Sequence, residues 1–206
     1  MDTKKYTLKK VLWWIALSVL FLFLFLLIVG LIHTNSVEKT KKAVDTIHAT
    51  KLTLDDVMGK NLPPDPGIEA DTTVQGIDAN KNNIRDDVEL AIFKEYPNSA
   101  KTRAVLLQYA LALQMEMTQD LVNTETVTAV VTEEGRASTC LANTLVPRKN
   151  LESARSSSDM KKIQELIYFV ENLQFNTLNR QKAKDTFYKN LGSYGESINE
   201  TCDVDF

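Results

Sequence analysis

The chain has 206 residues, a formal net charge of −3, and only two cysteines and two histidines. That length admits one domain plus an anchor. The acidic balance excludes the basic surface that nucleic-acid phosphates require, so no nucleic-acid partner is expected, and no enzyme signature is visible.

Residues 1–10 form a short tail carrying Lys4, Lys5, Lys9 and Lys10. Residues 11–32 follow, "VLWWIALSVLFLFLFLLIVGLI", without a charge or a proline. A span of roughly 20 apolar residues crosses a hydrocarbon core, so this segment is expected to be a transmembrane helix in a lipid bilayer. The competing reading is a cleaved signal peptide, whose apolar region runs about 7–15 residues and ends in a small-x-small site; here only Thr34 and Ser36 offer such a pair. Trp13 and Trp14 suit the water–lipid boundary. Lys39, Lys41 and Lys42 follow the span, so the positive-inside rule only slightly favours a cytoplasmic N-terminus. The remainder, residues 33–206, carries 20 basic against 26 acidic residues. In this reading it lies in the periplasm of a bacterium, anchored in the inner membrane.

Residues 33–60 read as a stalk helix with Val37, Val44 and Ile47 along one stripe. The segment "LPPDPG", residues 62–67, blocks helix, and residues 61–77 are expected to form a proline-rich strap or linker. From residue 78 on, an all-α bundle is predicted. Its helices fall near residues 87–96, 99–123, 125–145, 160–172 and 176–191. The first two are amphipathic, the second through Val105, Leu106, Tyr109, Leu113 and Met117. The third contains the β-branched run "TETVTAVVTEEG" and a kink is allowed at Gly135.

The stretch that carries chemistry is "DANKNNIRDDVE", residues 78–89. A twelve-residue calcium loop takes oxygens from positions 1, 3, 5, 7 through a backbone carbonyl, 9, and a carboxylate at 12. Those positions hold Asp78, Asn80, Asn82, Ile84, Asp86 and Glu89. Position 6 is Asn83 where glycine is usual, and asparagine is the next most tolerant residue of left-handed backbone. The apolar residue sits at position 7 rather than 8. In that respect the loop resembles thrombospondin type 3 and related bacterial "DxDxDGxxDxxE" repeats more than a paired EF-hand. A longer stretch, "LPPDPGIEADTTVQGIDANKNNIRDDVE", resembles a segment of bacterial membrane and exported proteins in which a proline-rich strap precedes "GIDxxxNGIRDDVE". The resemblance implies calcium as the cofactor and implies no activity. A metal-free alternative stays open: Asp86 and Glu89 also read as an N-cap and capping-box pair. With two neutral amides among the ligands, a dissociation constant of ~10⁻⁴ to 10⁻³ M is expected, as for extracellular modules.

Cys140 and Cys202 permit one disulfide in an oxidising compartment, which would fasten the tail "NETCDVDF" to the third helix of the bundle. His33 and His48 fall in the stalk, outside the folded domain. Glu133 and Glu134 are expected on a solvated face, and Asp203 and Asp205 are candidates for reaching the calcium loop. Asn199 matches a glycosylation site incidentally. The functional expectation is a calcium-binding periplasmic module with a protein partner or a structural role. The alternatives are an anchored immunity or inhibitor protein against a toxin, and an envelope enzyme with unrecognised carboxylate chemistry.

Overall fold

The computed structural model describes residues 3–150, 153–192 and 202–205. Among these residues the chain is entirely helical: α1 (Thr3–Ala49), α2 (Leu54–Met58), a 3-10 turn (Gly67–Asp71), α3 (Asp86–Glu95), α4 (Ala100–Thr118), α5 (Thr124–Leu145), α6 (Ser157–Gln174) and α7 (Leu178–Tyr188). The chain divides into two compact units, Met1–Lys42 and Ala43–Phe206.

The first unit is helix alone. Its side chains from Val11 to Ile32 are largely exposed, and the mean hydropathy of its most apolar 18-residue window is 3.2, so the helix is long and apolar enough to cross a membrane. The polar side chain inside the apolar run is satisfied locally, with Ser18 Oγ donating to the carbonyls of Trp14 (3.0 Å) or Ile15 (2.9 Å). This matters because lipid offers a hydroxyl no partner.

The second unit is built around α4. The expected single apolar face is corrected here: every residue from Arg103 to Met117 is buried, so α4 is surrounded on all sides rather than lying at the surface. A wholly buried helix should be apolar all round, and the four polar exceptions each hold a neighbouring segment. Arg103 donates to the carbonyls of Val57, Tyr96 and Pro97. Gln108 accepts from the Asp203 amide, and Gln114 donates to the Gln75 carbonyl at 2.7 Å. Glu116 meets Tyr188. Buried polar groups are tolerated when so partnered, and these partners specify which loop lies against which turn of α4.

Caps move several predicted boundaries. The stalk helix does not run to residue 60: α1 ends at Ala49 and Thr53 starts α2 through a capping box with Asp56, after which Gly59 ends it with φ 69°. Val44 and Ile47 pack on the core while Val37 is exposed. Helix α4 stops at Thr118, short of residue 123, because Asn123 is spent on a capping box with Thr126 that starts α5. Helix α5 is continuous through Gly135. Ser156 and Asp159 form the box that starts α6 three residues earlier than predicted, and Thr177 caps α7. Cys140 and Cys202 form the disulfide, with Cα atoms 5.0 Å apart. Asn199 lies outside the described residues.

Two fully buried arginines underlie the strap, Arg180 by bonding it and Arg85 by packing against Gly76. Arg180 on α7 donates to the carbonyls of Ala70, Thr73 and Val74 and pairs with Asp71. Arg85 donates to Leu173 O at 2.7 Å and Gln174 O at 3.0 Å, at the end of α6, and pairs with Asp87. A cation there also meets the negative end of the α6 dipole. Gly76, φ 71°, passes so close that a Cβ would lie 2.3 Å from Arg85 Cδ.

Candidate metal centre

Residues 78–85 form a loop that runs into the first turn of α3 and is closed at its base by Asp86 N donating to Ile77 O, 2.9 Å. Within it the side-chain oxygens organise the backbone. Asp78 accepts from the amides of Asn82 (3.1 Å) and Asn83 (2.9 Å), and Asn82 Oδ1 accepts from Ile84 N at 2.9 Å. Asn83 adopts the left-handed backbone that its position requires, φ 65°, and Lys81 does so too, φ 61°. Ile84 is fully buried and anchors the loop in the core through its side chain.

The two C-terminal ligand candidates sit deepest. Asp86 is 0% and Glu89 1% exposed. Asp86 does not cap α3 by a side-chain bond; the N-cap is Arg85, whose side chain makes no capping bond, and the Asp86 carboxylate accepts instead from Ala79 N at 3.0 and 3.1 Å. The capping-box alternative for Asp86 and Glu89 is thereby corrected. Glu89 Oε2 accepts from Asn80 Nδ2, 2.9 Å, which also donates to Asn61 O. Asn82 Nδ2 is buried beside Glu89 without a hydrogen bond of good geometry.

Among the described residues neither Asp86 nor Glu89 makes an ion pair. Burial therefore raises both: Glu89 is pushed up to about 7, against the pull of the Asn80 and Asn82 amides and with help from the charges of Asp56 and Asp86. Asp86 is also raised, by burial first and then by Asp78 and Asp87 despite the Ala79 bond. Among the described residues no group of three His, Cys, Asp or Glu side chains is gathered as a metal cluster. The loop brings its carboxylates and amides together, with the carboxylate oxygens of Asp78 and Asp86 turned toward backbone amides. Each carboxylate oxygen has two lone pairs, so an oxygen that accepts one amide hydrogen still has donor capacity for a cation. The donor set, all oxygen, suits a hard cation.

Two further polar clusters were not legible in the sequence. Glu133 is not on a solvated face: it is buried and accepts from His48 Nδ1 (2.7 Å), Lys51 (3.1 Å) and Arg136 (2.8 Å). Burial alone would raise its pKa, but His48, Arg136 and Lys51 outweigh that and hold it low. His48 accordingly belongs to the folded unit. Asp203 does not approach the 78–89 loop: it lies 2.7 Å from Arg136 Nη1, and its carboxylate accepts from Leu52 N at 2.9 Å. The other cluster joins Glu116, Glu134, Glu171, Tyr109 and Tyr188 across four helices. Its only sequence signal is a charged residue inside an otherwise apolar helix.

No protein-family model, curated protein or solved structure matches the chain.

Proposed function

We propose that this chain is a bacterial inner-membrane protein, anchored by residues 11–32, that displays in the periplasm a helical domain stabilised by calcium and serving as a protein-binding or structural module. The observation that carries the calcium reading is the pair Asp86 and Glu89, both buried and neither paired with a basic side chain. Two carboxylates left so inside a protein are costly unless a cation joins them. Asp78, Asn80, Asn82, the Ile84 carbonyl, Asp86 and Glu89 would hold it. Calcium there supplies the positive charge that the protein does not, and the loop's amide bonds hold the oxygens within reach without further ordering.

The disulfide supports the compartment, since such bonds persist outside the reducing cytosol. So does the composition of the loop, because an affinity near 10⁻⁴ to 10⁻³ M is useful only where calcium is abundant. The calcium loop adjoins Arg85, which fastens α6, and Asn80 donates to the Asn61 carbonyl of the strap. Its role in this reading is to tie strap, α3 and α6 into one body, leaving the surface free for a partner.

Calorimetric titration of calcium into the full chain in detergent micelles tests the reading. Binding at submillimolar to millimolar calcium, abolished by Glu89→Gln, is expected; no heat through the millimolar range overturns it. A reporter enzyme active only outside the cytoplasm, fused after Phe206, tests the orientation. Capture of a partner from envelope extract by the wild-type chain, with and without calcium, tests the module.

A further inference from the structure

Glu116 of α4 is 5% exposed. Its Oε1 lies 3.0 Å from the Tyr188 hydroxyl of α7, and that same hydroxyl lies 2.6 Å from Glu134 Oε2 of α5. A phenol has one hydrogen to give and carboxylates have none. Two carboxylates cannot both be served by Tyr188, so one of the two contacts must take its hydrogen from a carboxylic acid. The 2.6 Å separation is that of a hydroxyl donating to an ionised carboxylate, which assigns the Tyr188 hydrogen to Glu134. The 3.0 Å contact is then a Glu116 carboxylic acid donating to the Tyr188 oxygen.

The other groups facing the site agree. Tyr109, also on α4, lies 3.5 Å from Glu134 Oε1 and 3.4 Å from Glu171 Oε1 of α6, so its single hydrogen is already spread between those two. Lys184 of α7 lies 3.6 Å from Glu171, with which it pairs. Among the described residues Glu116 Oε2 is buried without a partner, which is tolerable for the carbonyl oxygen of an acid and costly for a carboxylate.

We propose that Glu116 is a buried proton-binding site, a neutral carboxylic acid at neutral pH, and that its ionisation loosens the seat of α7 on α4 and α5. Burial first, and then the charge of Glu134, push it up to about 8, against the pull of Lys184 and Tyr188. The sign follows: a carboxyl held above its ordinary value stabilises the fold while protonated, fully below pH 4.5, and loses that contribution as pH rises through about 8.

Two measurements on the full chain in detergent micelles, with calcium chelated, test this. In denaturant unfolding from pH 5 to 9, the unfolding equilibrium constant of the parent should rise about tenfold per pH unit more steeply than that of Glu116→Gln, levelling above pH 8. Equal slopes overturn the proposal. The second measurement does not need that variant to fold. In Glu89→Gln, which removes the other raised glutamate, infrared spectra with carboxyl-labelled glutamate should show a protonated carboxyl at pH 7 that is lost above pH 8. Its absence at pH 7 also overturns the proposal.

Discussion

Gly76→Ala is expected to be among the most damaging single-methyl additions in this protein. Gly76 has φ +71°, and a Cβ would fall 2.3 Å from Arg85 Cδ, 2.7 Å from Arg85 Cγ and 3.1 Å from Arg180 Nη2. The left-handed backbone alone costs a β-carbon residue about 1–2 kcal/mol. The neighbour cannot swing aside cheaply, because the Arg85 guanidinium is held by Leu173 O, Gln174 O and Asp87. Overpacking of this kind costs about 1–3 kcal/mol, so roughly 2–5 kcal/mol is expected in all. Gly67 is the control: its φ is also positive, +55°, and nothing lies within 4 Å of its Cβ position, so Gly67→Ala incurs only the backbone cost. Urea unfolding of the full chain in micelles, followed by far-ultraviolet circular dichroism, reads both. Gly76→Ala should lower the midpoint by at least twice as much as Gly67→Ala. Equal shifts would refute the claim that the two arginines underlie the strap.

Calcium at ~10 mM with a dissociation constant near 10⁻³ M should stabilise the fold by about 1.4 kcal/mol, raising Tm by about 3–6 °C; a rise that survives in Glu89→Gln would sink the loop assignment. Without calcium, Glu89 stands at about 7, above its ordinary 4.5, so stability present below pH 4.5 should drain away as pH rises through 7, and Glu89→Gln should flatten that part of the pH profile. Glu133→Ala leaves Arg136 with Asp203 as its carboxylate partner and Lys51 half-exposed, so a loss of about 1–3 kcal/mol is expected; an unchanged midpoint in denaturant unfolding would show the network to be incidental. Cys140→Ser with Cys202→Ser opens a closure of 62 residues, worth about 4 kcal/mol in the chain-entropy view, and an unchanged unfolding midpoint under oxidising conditions would contradict it.

Helix content, the apolar span and the pairing of Cys140 with Cys202 were legible because each rests on local chemistry: run length, periodicity and cysteine parity. The left-handed backbone of Asn83 was legible from its tolerance of that conformation, and alternating Asx residues direct their own backbone amides. Boundaries drifted wherever a cap outcompeted a good helix former, as Asn123 did against the α4 pattern.

The polar interior was not legible. Glu133 and Glu134 look like any solvent-facing pair, and only their position against the chain from His48 to Lys51 and against Tyr188 makes one an ion-network hub and the other a proton acceptor. From the sequence Asp203 was a candidate for reaching the 78–89 loop; the disulfide and Gln108 hold it beside Arg136 instead. Nothing local in the sequence marks Arg85 or Arg180 for burial, because their carbonyl partners lie more than eighty residues away. By itself the sequence determined an apolar helix, a helical domain and an oxygen-rich loop, because period, composition and turn chemistry act over a few residues. The tertiary structure alone decided which charges are buried and with whom, because desolvation and ion pairing depend on what distant segments bring to the same place.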